Sequence, residues 1–252
     1  MRGVALVTGA ARRIGRTLSL ALADAGFDIA VHYRTSKPEA EAVVAEIEAK
    51  GRRAQAFQAD LAVEGKAQAL MERAAEAMGP VSLLVNNASV FREDSVQSMT
   101  RESWDAHMET NLRSPLALAQ AFARQAPEGS LIINLLDQRV WKPNPQFFTY
   151  ALSKAALWAA TRTLAQALAP KIRVNAVGPG PTLPSIHQAP EEFAAEAQNV
   201  PLRRRATPEE IARAVLYLVD APSVTGQMIA VDGGQHLAWR TPDIDPSWAA
   251  ET

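Results

Sequence analysis

The stretch VALVTGAARRIGRTLSLALADAG, Val4–Gly26, decides the fold. Its first four residues form a short apolar run, as expected of a strand buried on both faces. Thr8 and Gly9 punctuate it. Ile14, Leu18, Leu22 and Ala25 then recur on one helical stripe, and Gly26 stops the helix. A strand, a glycine-bearing turn and a helix in that order form a βα unit. Backbone N–H groups of the turn and the helix N-terminus there face an anion such as a pyrophosphate. The dinucleotide fingerprint asks for three glycines. Gly9 and Gly15 are in place, whereas Arg13 stands where a middle glycine is often found. Taken alone, the turn is also compatible with no ligand at all.

The same alternation continues along the chain. Apolar or β-branched runs at 28–33, 54–59, 82–87, 130–136, 172–177 and 228–232 are separated by longer segments of helical period. That predicts an α/β fold, a doubly wound parallel sheet of about seven strands with helices on both faces. In PEAEAVVAEIEAKG, Val43, Val44 and Ile47 share a face and Gly51 ends the helix. In TPEEIARAVLYLV, Thr207 as N-cap, Pro208 in the first turn and Glu210 three residues after the cap predict a capping box. The proline-rich segment 178–201 reads as a long loop containing a little helix, part of a lid-like segment over 178–206. One domain over 1–252, with a short tail at 238–252, is expected.

With 48% hydrophobic and 21% charged residues among 252, the composition is that of an ordinary globular protein. The formal net charge of −1 gives no bulk attraction to nucleic acid or an acidic membrane, so a small-molecule partner is expected. The absence of cysteine excludes disulfides, thiolate metal sites and a cysteine nucleophile, and points to a reducing, cytoplasmic setting. The longest apolar helical run, AALWAATRTLAQALA, is interrupted by Arg162, so no membrane span is expected. His32, His107, His187 and His236 are scattered without ligand spacing, and no metal site is expected. Arg203–Arg205 read as a solvated or interface-forming run.

An NAD-preferring site carries an acid at the end of the second strand for the ribose 2′-hydroxyl. Here that strand end reads VHYRTS, offering His32, Tyr33, Arg34, Thr35 and Ser36 and no acid. An arginine among hydroxyls suits a 2′-phosphate, and Arg13 adds a second cation from the turn. NADPH is therefore the expected cofactor, the alternative being that Arg34 is merely solvated.

A second stretch, LIINLLDQRVWKPNPQFFTYALSK (131–154), carries the chemistry. It begins as a core strand, closes on Asp137 and ends with Tyr150 and Lys154 at i and i+4, which share a helix face. An ammonium beside a phenol lowers its pKa and makes it a usable acid near neutrality. Hydride transfer to a carbonyl or imine leaves charge on the heteroatom, and Tyr150 is the expected proton donor.

The motifs TGAARRIG, QADL, NNAS, ETNLRSP, YALSK, RVNAVGPG and VDGG, in this order, resemble the short-chain dehydrogenase/reductase family over nearly the whole chain. The resemblance implies a Rossmann-like fold and a homotetramer formed through helices at 100–126 and 147–169 and the last strand. It implies that Gly9, Arg12, Arg13, Ile14 and Gly15 hold the phosphates, with His32, Tyr33, Arg34 and Ser36 at the adenosine ribose. Asp60 is then expected at the adenine beside Leu61, and Asn86, Asn87, Ala88 and Ser89 along the cofactor cleft. Lys154 holds the nicotinamide ribose with Tyr150 beside it, Asn111 supports the lysine through a water, and Pro179, Gly180 and Thr182 cover the nicotinamide.

The usual family pattern has a serine thirteen residues before the tyrosine, where this chain has Asp137. A serine donates to a carbonyl, whereas a carboxylate only accepts and repels the charge a ketone develops. An acid there, TGAARRIG, HYRTS and NNASVF together resemble the branch of pteridine reductases and dihydromonapterin or dihydrofolate reductases. That implies pterin donors meeting Asp137, a buried acid of raised pKa that also passes a proton. Phe91 is then expected to stack on the ring, with Ser89 and Arg13 adding hydrogen bonds. Trp141, Phe147, Leu183 and His187 are further pocket candidates. The alternatives are a reductase of 3-oxoacyl thioesters or xenobiotic ketones, and a non-catalytic NADP-binding sensor.

Overall fold

A computed structural model describes residues 2–184 and 190–238 of the chain. His187, part of the lid-like segment and the tail after 238 lie outside the described residues.

The apolar runs form seven strands: β1 (Val4–Val7), β2 (Asp28–Tyr33), β3 (Ala54–Gln58), β4 (Val81–Asn86), β5 (Ser130–Leu135), β6 (Ile172–Pro179) and β7 (Met228–Val231). They pair in parallel, in the order β3-β2-β1-β4-β5-β6-β7. Helices α1 (Arg13–Asp24), α2 (Lys37–Ala49), α3 (Lys66–Met78), α4 (Arg101–Met108), α5 (Ser114–Gln125), α6 (Phe148–Leu168), α7 (Pro190–Gln198) and α8 (Pro208–Val219) make the connections. Because strand side chains alternate, Ala5 and Val7 of β1 enter one core with Leu18 and Leu22 of α1, Val43 and Ile47 of α2, and Ile211 and Val215 of α8. Val4 and Leu6 enter the opposite core with Leu70 and Met71 of α3 and Leu118 and Phe122 of α5. Both faces of the sheet are covered at its centre, which is why the central strands read as largely apolar runs, whereas the edge strand β3 exposes Gln55 and Gln58. β1 has β2 on one side and β4 on the other, so the chain order reverses there. The carboxyl ends of these strands open a crevice at that switch point.

The helix expected over 100–126 departs from the sequence reading. It is α4 and α5 joined by a π-helical turn, Glu109–Arg113, in which the amide of Ser114 donates to the carbonyl of Glu109. Asn111 sits inside this turn. The capping box at Thr207 is present: the Glu210 amide donates to its hydroxyl at 3.3 Å, and Glu210 accepts the Thr207 amide at 2.9 Å. β6 runs on to Pro179, and the little helix expected in the lid is α7. Among the described residues no helix is long and apolar enough to cross a membrane, and no group of His, Asp or Glu is arranged to hold a metal.

Candidate active site

At the first turn, glycine is required by space as well as by backbone angle. Gly9 has φ +62°, and a Cβ on Gly15 would lie 2.1 Å from the Gly9 carbonyl oxygen. Arg13 has φ +54°, a left-handed conformation that strains a residue with a Cβ by about 1 kcal/mol or more. Its guanidinium donates to the carbonyls of Pro184 at 2.9 Å and Leu183 at 3.3 Å, tying the start of the lid to the turn.

His32 lies in the wall of this cleft, but both ring nitrogens are occupied by the backbone. Nδ1 accepts the Gly9 amide at 3.0 Å, so Nε2 carries the proton and donates to the Ala59 carbonyl at 3.1 Å. The ring braces the turn from behind. Burial disfavours its charged form and pushes its pKa down to about 4. The folded pKa is below the unfolded one. The stability His32 contributes is therefore intact above pH 6.5 and is lost as pH falls toward 4. Between pH 7.5 and 5, His32 is expected to remove about 2 kcal/mol of unfolding free energy. Urea denaturation at both pH values, on the wild type and His32→Gln, checks this. An identical pH slope in the two proteins would refute it.

The outer cleft has a volume of about 390 Å³, and Arg12, Arg13, Ile14, Tyr33, Arg34 and Ser36 line its phosphate and ribose side. Asp60, Leu61, Asn87, Ala88 and Ser89 complete it. Arg34 is exposed and has no hydrogen-bond or ion-pair partner for its guanidinium among the described residues, while Arg12 stands 3.7 Å from Glu39. Asp60 accepts the Ala62 amide at 3.0 Å and thereby shapes the loop after β3. Asn87 donates to the carbonyls of Thr8 at 2.8 Å and Gly9 at 3.2 Å, locking the end of β4 to the first turn. Asn86 is a correction to the sequence reading. It does not line the cleft, because it is the last residue of β4, opposite Asn134 in β5, and its buried amide donates to the Asn134 carbonyl oxygen at 2.8 Å.

The inner cleft, about 270 Å³, shares Arg13, Ile14, Asn87 and Ser89 with the outer one. Asp137, Tyr150 and Lys154 converge on it, with Pro179, Gly180 and Thr182 at its rim. The Tyr150 hydroxyl donates to Asp137 Oδ2 at 2.9 Å. Lys154 Nζ donates to the Leu135 carbonyl at 2.7 Å. The expected lowering of the tyrosine pKa by the lysine is overturned. The Lys154 ammonium lies 5.7 Å from the Tyr150 ring centroid and is bonded to the strand end. Burial, followed by the Asp137 carboxylate, holds the Tyr150 phenol well above its usual pKa. Lys154 is pushed down to about 8 by burial, against the opposing pull of Asp137.

Asn111 stands behind the cleft. Its Oδ1 accepts the Val90 amide at 2.8 Å and the Ser89 hydroxyl at 3.2 Å, and its Nδ2 donates to the Val90 carbonyl and to Ser153. The π-helical turn thus fastens the loop after β4 to α6. Phe91 stacks on Phe147 at 4.2 Å and meets the Tyr150 ring edge-on at 4.7 Å. Leu183 lines the inner cleft, whereas Trp141 turns its edge to His236.

Several residues in and behind the site escaped the sequence reading. Arg139 pairs with Asp137 at 3.0 Å, and Phe193, Glu196 and Gln235 line the far wall. Asp94 holds the start of α6: it accepts the Thr149 amide at 3.0 Å and the Thr149 hydroxyl. The Thr149 hydroxyl also meets His107 Nδ1 at 2.6 Å. This buried network fixes the helix one residue ahead of Tyr150.

Such a sheet, with a phosphate-type turn at its switch point and a Tyr/Lys pair in the adjoining cleft, is the frame of a dinucleotide-dependent oxidoreductase. Comparison with known proteins agrees. The model of the family described as Enoyl-(Acyl carrier protein) reductase matches residues 9–236. The chain belongs to the short-chain dehydrogenase/reductase family. It is 35% identical over 244 residues to the 3-oxoacyl-[acyl-carrier-protein] reductase FabG of Staphylococcus epidermidis, covering 94% of this chain and 100% of that one. Among solved structures it resembles FolM Alternative dihydrofolate reductase 1 from Brucella canis complexed with NADP, with TM-score 0.92 and 51% identity over 96% of this chain and 97% of that one. A short-chain dehydrogenase from Burkholderia cenocepacia in complex with NADP is also similar, at TM-score 0.87 and 37% identity over 92% and 96% of the two chains.

Proposed function

We propose that the protein reduces a C=N bond of a pteridine-type ring, a dihydropterin or a dihydrofolate-like compound, with NADPH. The observation that carries this reading is Asp137. It lies in the inner cleft at the end of β5, bonded to the Tyr150 hydroxyl, where the family pattern has a donor serine. A carboxylate there accepts hydrogen bonds from ring N–H and amino groups. The 51% identity to a protein named an alternative dihydrofolate reductase supports the same substrate class.

The cofactor is NADPH; the exposed Arg34 at the end of β2 and Arg12 beside the turn suit its 2′-phosphate. When bound, NADPH supplies the hydride to the ring carbon. Tyr150 gives the adjacent ring nitrogen its proton, and Asp137, already hydrogen-bonded to that hydroxyl, orients the ring and relays the replacement proton. Lys154 holds the nicotinamide ribose, and Phe91 packs on the substrate ring. Asn111 holds the loop that carries Ser89 and Phe91. A homotetramer built through α4–α5, α6 and β7, a single domain and a cytoplasmic setting complete the reading. Trp104 of α4 and Leu152 of α6 are large apolar side chains that are partly exposed there.

A second reading, reduction of 3-oxoacyl thioesters, is favoured by the 35% identity to enzymes named for that reaction. NADPH oxidation with dihydrobiopterin, dihydrofolate and an acetoacetyl thioester separates the two. Pterin turnover is expected, and Asp137→Ser should lower its kcat/KM by roughly 10²-fold while leaving NADPH binding unchanged. Robust thioester reduction with no pterin turnover would sink the pteridine reading.

A further inference from the structure

The proposed chemistry gives Arg139 no part, yet the fold fixes this side chain against Asp137 on the cleft wall. Asp137 Oδ1 accepts the Arg139 amide at 2.8 Å, closing the 3-10 turn Gln138–Val140 that follows β5. The turn folds the guanidinium back on the same carboxylate, with Nη1 at 3.0 Å from Oδ2. Its carbon lies 5.8 Å from the Phe91 centroid and 5.5 Å from that of Phe147, the two rings being themselves stacked. Both partners of the ion pair are nearly covered, with side-chain exposures of 16% and 12%. Nε is buried with no hydrogen-bond partner.

A buried ion pair is a weak source of stability, and an apolar pair of similar volume often serves as well. Its presence on the cleft wall calls for a role in recognition. Alone, Asp137 could only accept hydrogen bonds. Beside it, the planar fork of Arg139 adds a donor whose orientation is already fixed by the two aromatic rings. An acceptor next to a donor is the complement of a cyclic amide edge, N–H beside C=O. Such an edge satisfies both groups at once, whereas an isolated ketone leaves the carboxylate facing the developing charge.

We propose that Arg139 is a specificity-determining residue: with Asp137 it forms a donor–acceptor pair that selects planar rings carrying an N–H beside a C=O. The ring class rests on the pteridine reading above, but the selection is testable by binding alone. The probes are 2-amino-4-oxopteridine and 2,4-diaminopteridine, titrated into NADP⁺-loaded wild type, Arg139→Met and Arg139→Lys and followed by tryptophan fluorescence. Wild type is expected to prefer the 4-oxo ring. In Arg139→Met the oxo-to-diamino ratio of affinities should fall at least tenfold with the NADPH Kd close to wild type, while Tm falls because the nearly buried Asp137 carboxylate loses its counter-ion. Arg139→Lys, which keeps the charge but not the fork, should fall in between, and it supplies the same ratio if the methionine variant does not fold.

A ratio unchanged within twofold overturns the assignment, even if both ligands weaken together. So does failure of wild type to bind either pteridine. Binding with the expected ratio change but no turnover of any dihydropterin leaves the assignment standing and overturns the reductase reading instead.

Discussion

Tyr150→Phe is expected to lower kcat for reduction roughly 10²- to 10⁴-fold while leaving NADPH affinity within about threefold. The hydroxyl is buried and is the donor bonded to Asp137 Oδ2. Burial and the Asp137 carboxylate hold its pKa well above the usual phenol value, so it stays protonated throughout the working pH range. On the proposed reading it is an acid that is always loaded, refilled through Asp137. Its own ionisation leaves no limb in the pH profile. The limb comes from Lys154, whose pKa burial has lowered to about 8. As pH rises through that value the ammonium is lost, and wild-type kcat/KM should fall. Deleting the phenol leaves Asp137 still paired with Arg139, so Tm should change by only a few degrees. Stopped-flow measurement of single-turnover NADPH oxidation isolates the chemical step. A Tyr150→Phe rate within tenfold of wild type would transfer the donor role to Asp137.

The sheet was legible because its strands are buried on both faces. Val4–Val7 has no solvent-facing side, so its apolar run is uninterrupted, and Ser130–Leu135, buried throughout, breaks its apolar run only at Ser130 and Asn134. The phosphate turn was legible for a different reason: Gly9 and Gly15 are dictated by backbone angle and contact, which few residues other than glycine satisfy. The π-helical turn was not. A slip from i+4 to i+5 bonding leaves no compositional trace, and ETNLR reads as ordinary helix. The family resemblance implies Asn86 in the cleft, and the structure does not put it there. The available signal was the strand's alternation: Asn86 still lies in β4 and faces Asn134, while Asn87, one residue on, turns to Gly9. Arg139 could not be read at all. Its position two residues past Asp137 acquires meaning only once the 3-10 turn folds it back onto the carboxylate. The lysine–tyrosine pair was correctly placed on one helix face, yet its electrostatics were misjudged. Helical spacing brings two side chains to the same side without deciding which partner each takes, and Lys154 takes the Leu135 carbonyl.

Gly15→Ala is expected to raise the NADPH Kd at least 10²-fold. The added Cβ would stand 2.1 Å from the Gly9 oxygen, 2.9 Å from the Gly9 carbonyl carbon and 2.7 Å from the Asn87 amide nitrogen. Two of those atoms are backbone, so no rotamer change relieves the overlap. Either α1 slides away from β1 or the turn opens. Opening the turn moves Gly9, whose amide is anchored on His32 and whose oxygen accepts from Asn87, and the cradle of N–H groups at the start of α1 loses its alignment. Overpacking of this kind also lowers stability, by about 1–3 kcal/mol, so a fall in Tm alone decides nothing. Gly51→Ala supplies the comparison. Gly51 has φ +74° and no atom within 4 Å of a built Cβ, so its alanine variant carries backbone strain of about 1 kcal/mol without touching the cleft. Fluorescence titration of NADPH against both variants separates the effects. Both should melt below wild type, but only Gly15→Ala should lose the cofactor. If Gly15→Ala bound NADPH with wild-type affinity, the close approach of α1 to Gly9 would be a packing feature alone and the phosphate cradle would lie elsewhere.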